Sequence, residues 1–204
     1  MTDLALGRRL MDRLEVLAAF SDDASSLTRL YLSPSHKRAT DALTGWMREA
    51  GLAARLDAVG TLIGRYEGTT ANAPALLIGS HIDTVRQAGK YDGALGVLAA
   101  LAAVEELARA GERLPFAIEV IAFGDEEGVR FPSTLRGSRA LASTLDAAAL
   151  DERDTDGIAV RDALQAFGAD PSRLSEAAIR PGNALAFIEV HIEQGPVLER
   201  MSQP

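Results

Sequence analysis

Three apolar segments of the chain each end in a cluster of polar side chains. The segments read ALLIGSHIDTV, FAIEVIAFGDEEG and LAFIEVHIEQG, and a long apolar helical stretch, GALGVLAALAAVEELARA, lies between the first two. In open α/β sheets, ligands bind beyond the carboxyl ends of parallel strands. The sequence therefore predicts an α/β domain whose functional side chains lie at one edge of a sheet.

Hydrophobic periodicity and glycine positions predict the individual elements. We expect helices over 4–20, 35–50 and 93–110, short helices near 146–151 and 159–167, and strands over 61–66, 75–79, 116–123 and 184–192. The polar stretch between the first two strands predicts a hairpin. Alternation of strands and helices predicts a three-layer α/β/α domain with a mostly parallel sheet.

Composition excludes several classes of function. The net charge is −8, which argues against a nucleic-acid binder, because such proteins need a basic patch to meet phosphates. No apolar run is long enough for a membrane span, and the amino terminus lacks the pattern of a signal peptide, so we expect a cytoplasmic protein. Cysteine is absent, which removes disulfides, thiolate nucleophiles and cysteine-type zinc sites.

The polar clusters predict a shared site if their strands are parallel neighbours. The residues expected to converge are His81, Asp83, Asp92, Glu126, Glu127 and His191. Four carboxylates in one cleft repel each other unless protons, arginines or divalent metal compensate them. Two imidazoles beside them favour a metal, and an imidazole and carboxylate set suits zinc, manganese, cobalt or nickel better than magnesium or calcium.

Purely structural roles for these polar residues remain alternatives to the metal hypothesis. A single histidine in an apolar segment is usually a satisfied group, and His36 is interpreted in that way. A Glu-Glu pair is usually solvated, and Asp92-Gly93 alone is typical of a turn. Arg136 and Arg139 could bind an anion at a helix start or belong to a surface loop.

Four segments carry a resemblance to a known family. They read GSHIDTV, GKYDGALGVLAAL, FGDEEGVRFPSTLRGSRAL and VHIEQGPVLE. The chain resembles, from about residue 10 onward, the metal-dependent amidohydrolases that include allantoate amidohydrolase, N-carbamoyl-L-amino-acid hydrolase and β-alanine synthase. This family is grouped with the aminoacylase-type metallopeptidases, and the resemblance implies their three-layer catalytic domain.

The resemblance implies two divalent metal ions, zinc or manganese, with cobalt or nickel as alternatives. His81 and His191 match ligands of one ion, Asp92 matches the ligand that bridges both, and Glu127 matches a ligand of the second.

The resemblance also implies roles for three further side chains. Glu126 matches the general base, Asp83 matches the partner that orients His81, and Gln194 matches a contact to the substrate's ureido group. The implied reaction is hydrolysis of a linear C–N bond in allantoate or an N-carbamoyl-L-amino acid. An aminoacylase- or peptidase-like amide hydrolase is the alternative.

Family members are longer than this chain. The resemblance implies that residues 1–204 are the N-terminal part of the catalytic metal-binding domain. It also implies that the lid and dimerisation domain and the C-terminal part of the catalytic domain are absent. Family members are homodimers through that domain. We therefore expect a fragment that a C-terminal partner chain could complete, or an inactive truncated remnant.

Overall fold

The computed structural model describes residues 3–203, so residues 1, 2 and 204 of the predicted domain lie outside the described part. Six α-helices are described: α1 (Asp3–Ala18), α2 (Pro34–Glu49), α3 (Ala94–Ala110), α4 (Arg136–Leu141), α5 (Val160–Phe167) and α6 (Val197–Arg200). The strands are β1 (Ala53–Leu56), β2 (Leu62–Tyr66), β3 (Ala75–His81), β4 (Ala117–Phe123) and β5 (Ala184–Ile188). Two short 3-10 helices occupy Ala147–Asp151 and Pro171–Glu176.

The strands form one mixed sheet in the order β1-β2-β4-β3-β5. β3 runs parallel to β4 and to β5, whereas β2 is antiparallel to both β1 and β4. The prediction of a mostly parallel sheet is therefore wrong for the β1 and β2 side.

The predicted hairpin between residues 61–66 and 75–79 is also wrong, because β4 lies between β2 and β3. β2 instead forms a hairpin with β1, a four-residue strand that the sequence analysis missed. The turn between them is closed by the buried carboxylate of Asp57, which accepts the amide N–H groups of Val59 and Thr61. Such a side-chain turn satisfies backbone donors locally, so a short partner strand suffices.

Helices cover the sheet unequally. On one face, α1, α2 and α3 pack over a core that includes Leu62, Val120 and Leu101. On the other face, Ile121 belongs to a smaller cluster against which Leu141 of α4 packs. Successive strand residues point to opposite faces, which explains why β4 is apolar at every position except Glu119, which pairs with Arg65 of β2. The predicted α/β class is confirmed, with a thin second helical layer.

β5 is shorter than predicted and lies at one edge of the sheet. The strand ends at Ile188, so the segment that carries His191 is a loop rather than the end of the predicted strand over 184–192. Leu185 and Phe187 of β5 are largely exposed. Within residues 3–203, the helices are too short or too polar to cross a bilayer.

Candidate metal centre

The predicted site residues lie at the carboxyl ends of three adjacent parallel strands. His81 is the last residue of β3, and Glu126 and Glu127 follow β4. His191 follows β5, and Asp92 immediately precedes the glycine that caps α3. The parallel pairing of β3 with both neighbours brings these loops to one edge, as the sequence predicted.

One set of three side chains has the geometry of a metal site. The His81 Nε2 atom lies 3.4 Å from His191 Nε2 and 3.6 Å from Asp92 Oδ1, and His191 Nε2 lies 3.1 Å from Asp92 Oδ1. Ligands bound to zinc at tetrahedral angles with bonds of about 2.05 Å are separated by about 3.3 Å. The three groups therefore fit a single divalent ion, and nitrogen with carboxylate oxygen is a donor set that zinc and manganese accept.

A second set shares His81 with the first. Glu126 and Glu127 each bring a carboxylate oxygen to the His81 ring, with ligand atoms within 4.8 Å of one another. Glu127 Oε1 is buried and has no hydrogen-bond partner among residues 3–203. Burial raises the pKa of Glu127, although the neighbouring His81 opposes that shift. A buried carboxylate oxygen without a donor is costly, and a cation would satisfy it.

Asp83 is buried behind this second set. Its two carboxylate oxygens accept the backbone N–H groups of Glu126 and Glu127, each at 3.1 Å. The His81 Nδ1 atom lies 3.0 Å from the Asp83 backbone carbonyl and 3.9 Å from its carboxylate. Burial raises the Asp83 pKa, and His81 counteracts this. The carbonyl therefore orients His81 and leaves Nε2 facing the site, while the carboxylate holds the glutamate pair.

Gln194 lies beside the first set of ligands. Its side-chain amide donates to both carboxylate oxygens of Asp92, at 3.0 and 2.9 Å. The structure thus places the residue predicted to contact a ureido group directly against a predicted ligand. Its role toward a substrate stays a prediction.

His36 has no part in this cluster. It is fully buried, and its Nδ1 atom accepts the Leu32 N–H at 2.9 Å. Burial lowers the His36 pKa to about 3, so it is a neutral core group, as predicted, although its buried Nε2 atom has no hydrogen-bond partner among residues 3–203. The anion-binding interpretation is wrong for Arg136, which is also fully buried and is paired with Asp125 and Glu152.

Two glycines allow this close convergence: Gly93, which the sequence suggested only as part of a turn, and Gly96, which it did not indicate. Gly93 has φ +64°, and a Cβ there would lie 2.5 Å from the His81 carbonyl oxygen and 2.6 Å from its ring. A Cβ on Gly96 would lie 2.2 Å from the Val190 carbonyl oxygen. The start of α3 can therefore approach both His81 and the loop that carries His191. The small residues around Asp92 were the only sequence signal for this contact.

Replacing Gly93 with alanine is expected to destabilise the fold and to displace His81. A residue with a side chain in the left-handed region costs about 1–3 kcal/mol, and the clash with His81 adds to that cost. The measurement is the urea midpoint of unfolding, compared with Gly89→Ala as a control. Gly89 is exposed, and its added Cβ would meet no atom of the described residues within 4 Å. Equal midpoints for the two variants would contradict this prediction.

Comparison with known proteins identifies the family. Residues 77–203 match the model of peptidase family M20/M25/M40. The chain belongs to this family. The matched region contains every predicted ligand as well as Asp83, Glu126 and Gln194.

Within the M20/M25/M40 family, the curated relatives confirm the predicted resemblance to amidohydrolases. The N-carbamoyl-L-amino acid amidohydrolase of Geobacillus stearothermophilus is 46% identical over 97% of this chain and 49% of its own length. The allantoate deiminase of Arabidopsis thaliana is 46% identical over 94% of this chain and 37% of its own length. The chain spans about half the length of the first of these relatives and less of the second.

Solved structures confirm the fold of this M20/M25/M40 family member. A hydantoinase/carbamoylase family amidase from Burkholderia ambifaria matches with a TM-score of 0.87 and 36% identity, over 96% of this chain and 47% of that one. AtUAH in complex with (S)-hydroxyglycine also gives a TM-score of 0.87, at 34% identity, over 96% of this chain and 48% of that one. The α/β domain described above therefore corresponds to about half of each solved chain.

Proposed function

We propose that this chain supplies the metal-binding part of an amidohydrolase that hydrolyses a linear C–N bond in an N-carbamoyl-L-amino acid or allantoate. The convergence of His81, Asp92 and His191 at mutual distances of 3.1–3.6 Å carries the proposal. Similarity to N-carbamoyl-L-amino acid amidohydrolases and allantoate deiminases supports the substrate class.

Two divalent ions, zinc or manganese, are the proposed cofactors. His81 and His191 would hold one ion and Glu127 the second, with Asp92 between them. The buried oxygen of Glu127 has no hydrogen-bond partner in the part of the chain that the structure describes, which supports its assignment as a ligand. Divalent ions held there would supply Lewis acidity toward the substrate carbonyl and toward a water molecule.

Glu126 is the proposed general base. Its side chain is 45% exposed, and its Oε2 atom lies 4.0 Å from His81 Nε2, so it borders the ligands and is open to a substrate. The Glu126 backbone is anchored by Asp83, which leaves the carboxylate free to accept a proton from the attacking water. The same carboxyl group then passes the proton to the leaving nitrogen.

Gln194 is the proposed contact to the ureido group. Its amide nitrogen is engaged by Asp92, which leaves the amide oxygen to accept an N–H of the substrate. A ureido group carries an NH2 attached directly to its carbonyl, which N-acetyl amino acids and dipeptides lack, so an acceptor at this place would favour ureido substrates.

A polypeptide that corresponds to the unmatched half of the relatives is the proposed partner. The chain covers 47% of the Burkholderia ambifaria amidase, and within residues 3–203 no strand pairs with the outer edge of β5, where Leu185 and Phe187 are exposed. An unpaired strand edge with apolar side chains is a surface that a further strand would cover.

The predicted cytoplasmic location stays a prediction.

A substrate panel tests the proposed function. The chain is assayed alone and co-expressed with the unmatched half of the Geobacillus stearothermophilus relative, with manganese, zinc or a chelator. We expect metal-dependent release of ammonia from allantoate, or of amino acid from N-carbamoyl substrates. The kcat/KM should exceed that for N-acetyl amino acids and dipeptides by about 100-fold or more, because the site hydrogen-bonds a group they lack.

Either of two outcomes would contradict this proposal. A preference for N-acetyl amino acids or dipeptides would favour the aminoacylase- or peptidase-like alternative. Absence of turnover with every substrate, in both forms of the assay, would favour an inactive remnant.

A further inference from the structure

The loop between β4 and α4 carries both glutamates of the candidate site, and a buried arginine at its far end holds it. Arg136 opens α4, and its side chain is fully buried together with that of Asp125. Asp125 immediately precedes Glu126 and Glu127. None of the roles discussed above uses this buried ion pair.

Arg136 ties two parts of the loop to each other and to Glu152, which lies beyond α4. Its Nη1 donates to the Asp125 carboxylate and, at 2.6 Å, to the Ser133 carbonyl, and its Nη2 donates to the Glu152 carboxylate. Glu152 also accepts from the backbone N–H of Ser133, at 3.0 Å. A planar guanidinium with donors in a fixed fork can hold several acceptors in one arrangement.

Two hydrogen bonds to backbone carbonyls close the same loop. The Asp125 carbonyl accepts the Leu135 N–H at 2.6 Å, and the Glu126 carbonyl accepts the Thr134 hydroxyl at 2.6 Å. Asp125 itself has φ +64°, a conformation that a residue with a side chain keeps only when its surroundings fix it. The turn that aims Glu126 and Glu127 is thus held in an uncommon conformation.

The glutamate pair is held from two sides. Asp83 accepts its backbone N–H groups from the β3 side, and the network of Arg136 holds the preceding residue from the α4 side. Displacement of a catalytic group by about 1 Å can cost about 100-fold in rate, so a rigid support has a functional consequence.

We propose that Arg136 is a positioning residue, which sets the placement of Glu126 and Glu127 at the candidate site through its contact with Asp125. The part of this inference that concerns metal rests on the proposed function, whereas the part that concerns the loop does not. The hydrogen-bond acceptors of Arg136 in the described part of the chain are Asp125, Ser133 and Glu152, and none of these is a proposed ligand.

Hydrogen exchange of the Glu126 and Glu127 amides tests the positioning in the metal-free chain. In Arg136→Met, exchange is expected to rise by about 10-fold or more, because the loop opens locally. Arg136→Lys keeps a donor to Asp125 and should stay closer to the wild type. The control is Arg130→Met, since Arg130 lies in the same loop and also packs on Phe131 but donates to Asp154 and to the Tyr31 carbonyl rather than to Asp125. Unchanged exchange in Arg136→Met would overturn the proposal.

A double variant separates positioning from charge compensation. Arg136→Met leaves the buried Asp125 carboxylate unpaired, whereas Arg136→Met with Asp125→Asn removes that charge and should fold. We expect the double variant to keep the raised exchange and to bind manganese about 10–100-fold more weakly than wild type, as for loss of an outer-shell partner. Arg130→Met should bind as wild type does.

The outcomes distinguish this proposal from the proposed function. Wild-type exchange and affinity in the double variant would mean that Arg136 only neutralises Asp125, which overturns the positioning role. Raised exchange with unchanged affinity would overturn its link to the site. A wild-type chain that binds no manganese would contradict the proposed metal centre, and the exchange result would still decide whether Arg136 positions the loop.

Discussion

Replacing Glu126 with glutamine should abolish hydrolysis and leave metal binding intact. The amide has nearly the same shape as the carboxylate but accepts no proton, and a general base contributes about 10²–10⁴-fold to the rate. The Glu126 contact with Asp83 is made by the backbone N–H, so the substitution leaves that contact in place. The measurement is kcat for the preferred ureido substrate, with manganese affinity determined on the same preparation.

Glu193→Gln is the matched control for this prediction. Glu193 is a carboxylate in the loop that follows β5, where its Oε2 accepts the Leu198 N–H at 3.0 Å, and no role in the reaction is proposed for it. An amide oxygen can accept the same hydrogen bond, so its kcat should stay at the wild-type value. Wild-type turnover in Glu126→Gln would contradict the general-base role. Loss of metal together with turnover would instead make Glu126 a ligand, a role that its place beside His81 and Glu127 permits.

Replacing His81 with alanine should remove metal binding altogether. His81 is the residue that the two candidate ligand sets share, so its loss disrupts both. The loss in affinity should exceed the factor of about 100 that removal of an outer-shell partner costs. At a metal concentration about 100 times Kd, bound metal should stabilise the wild-type chain by about 2.7 kcal/mol. His81→Ala should show no such stabilisation in urea unfolding with and without metal.

His36→Asn is the control for the histidine substitution. His36 is buried, and no role at the metal site is proposed for it. The side-chain oxygen of asparagine can replace His36 Nδ1 as the acceptor of the Leu32 N–H. This variant should be less stable than wild type but should still be stabilised by bound metal to the same extent. An equal stabilisation by metal of His81→Ala and of wild type would contradict the assignment of His81 as a ligand.

The position of the site could be predicted from the sequence because it depends on strand direction. His81, Glu127 and His191 each follow an apolar segment, and parallel strands place their carboxyl ends at one edge. Asp92 precedes the long helix, whose start reaches the same edge. Hydrophobic periodicity and the polar clusters indicate where each strand ends from local sequence alone, so the strand order is not needed for this prediction.

The order of the sheet could not be predicted from local pattern. The β1–β2 hairpin depends on a side-chain turn at Asp57, and β1 alternates between exposed and half-buried residues without a strong apolar signal. β4 is inserted between β2 and β3, a pairing that depends on long-range packing. A short strand gains most of its stability from its neighbours, so its own sequence indicates little.

The supports of the site were only partly predicted, because the resemblance indicated Asp83 as a partner of His81 but not its carboxylate contacts to the glutamate pair. The contacts of the Asp83 carboxylate are to backbone N–H groups, which no residue pattern encodes. Arg136 follows a loop rich in glycine, proline and polar residues, which is typical of a surface segment, yet its side chain is fully buried. Burial of a charge is decided by the tertiary partners Asp125 and Glu152 rather than by sequence neighbours.

The most direct test of the metal centre is an anomalous difference map from crystals of the zinc-loaded chain. The structure predicts a peak bonded to His81 Nε2, His191 Nε2 and an Asp92 carboxylate oxygen, at about 2.0–2.2 Å from each. A second peak beside Glu127 would support the second proposed ion. Absence of anomalous density at the first position, or zinc bound only at other residues, would contradict the central claim that these three side chains form a metal site.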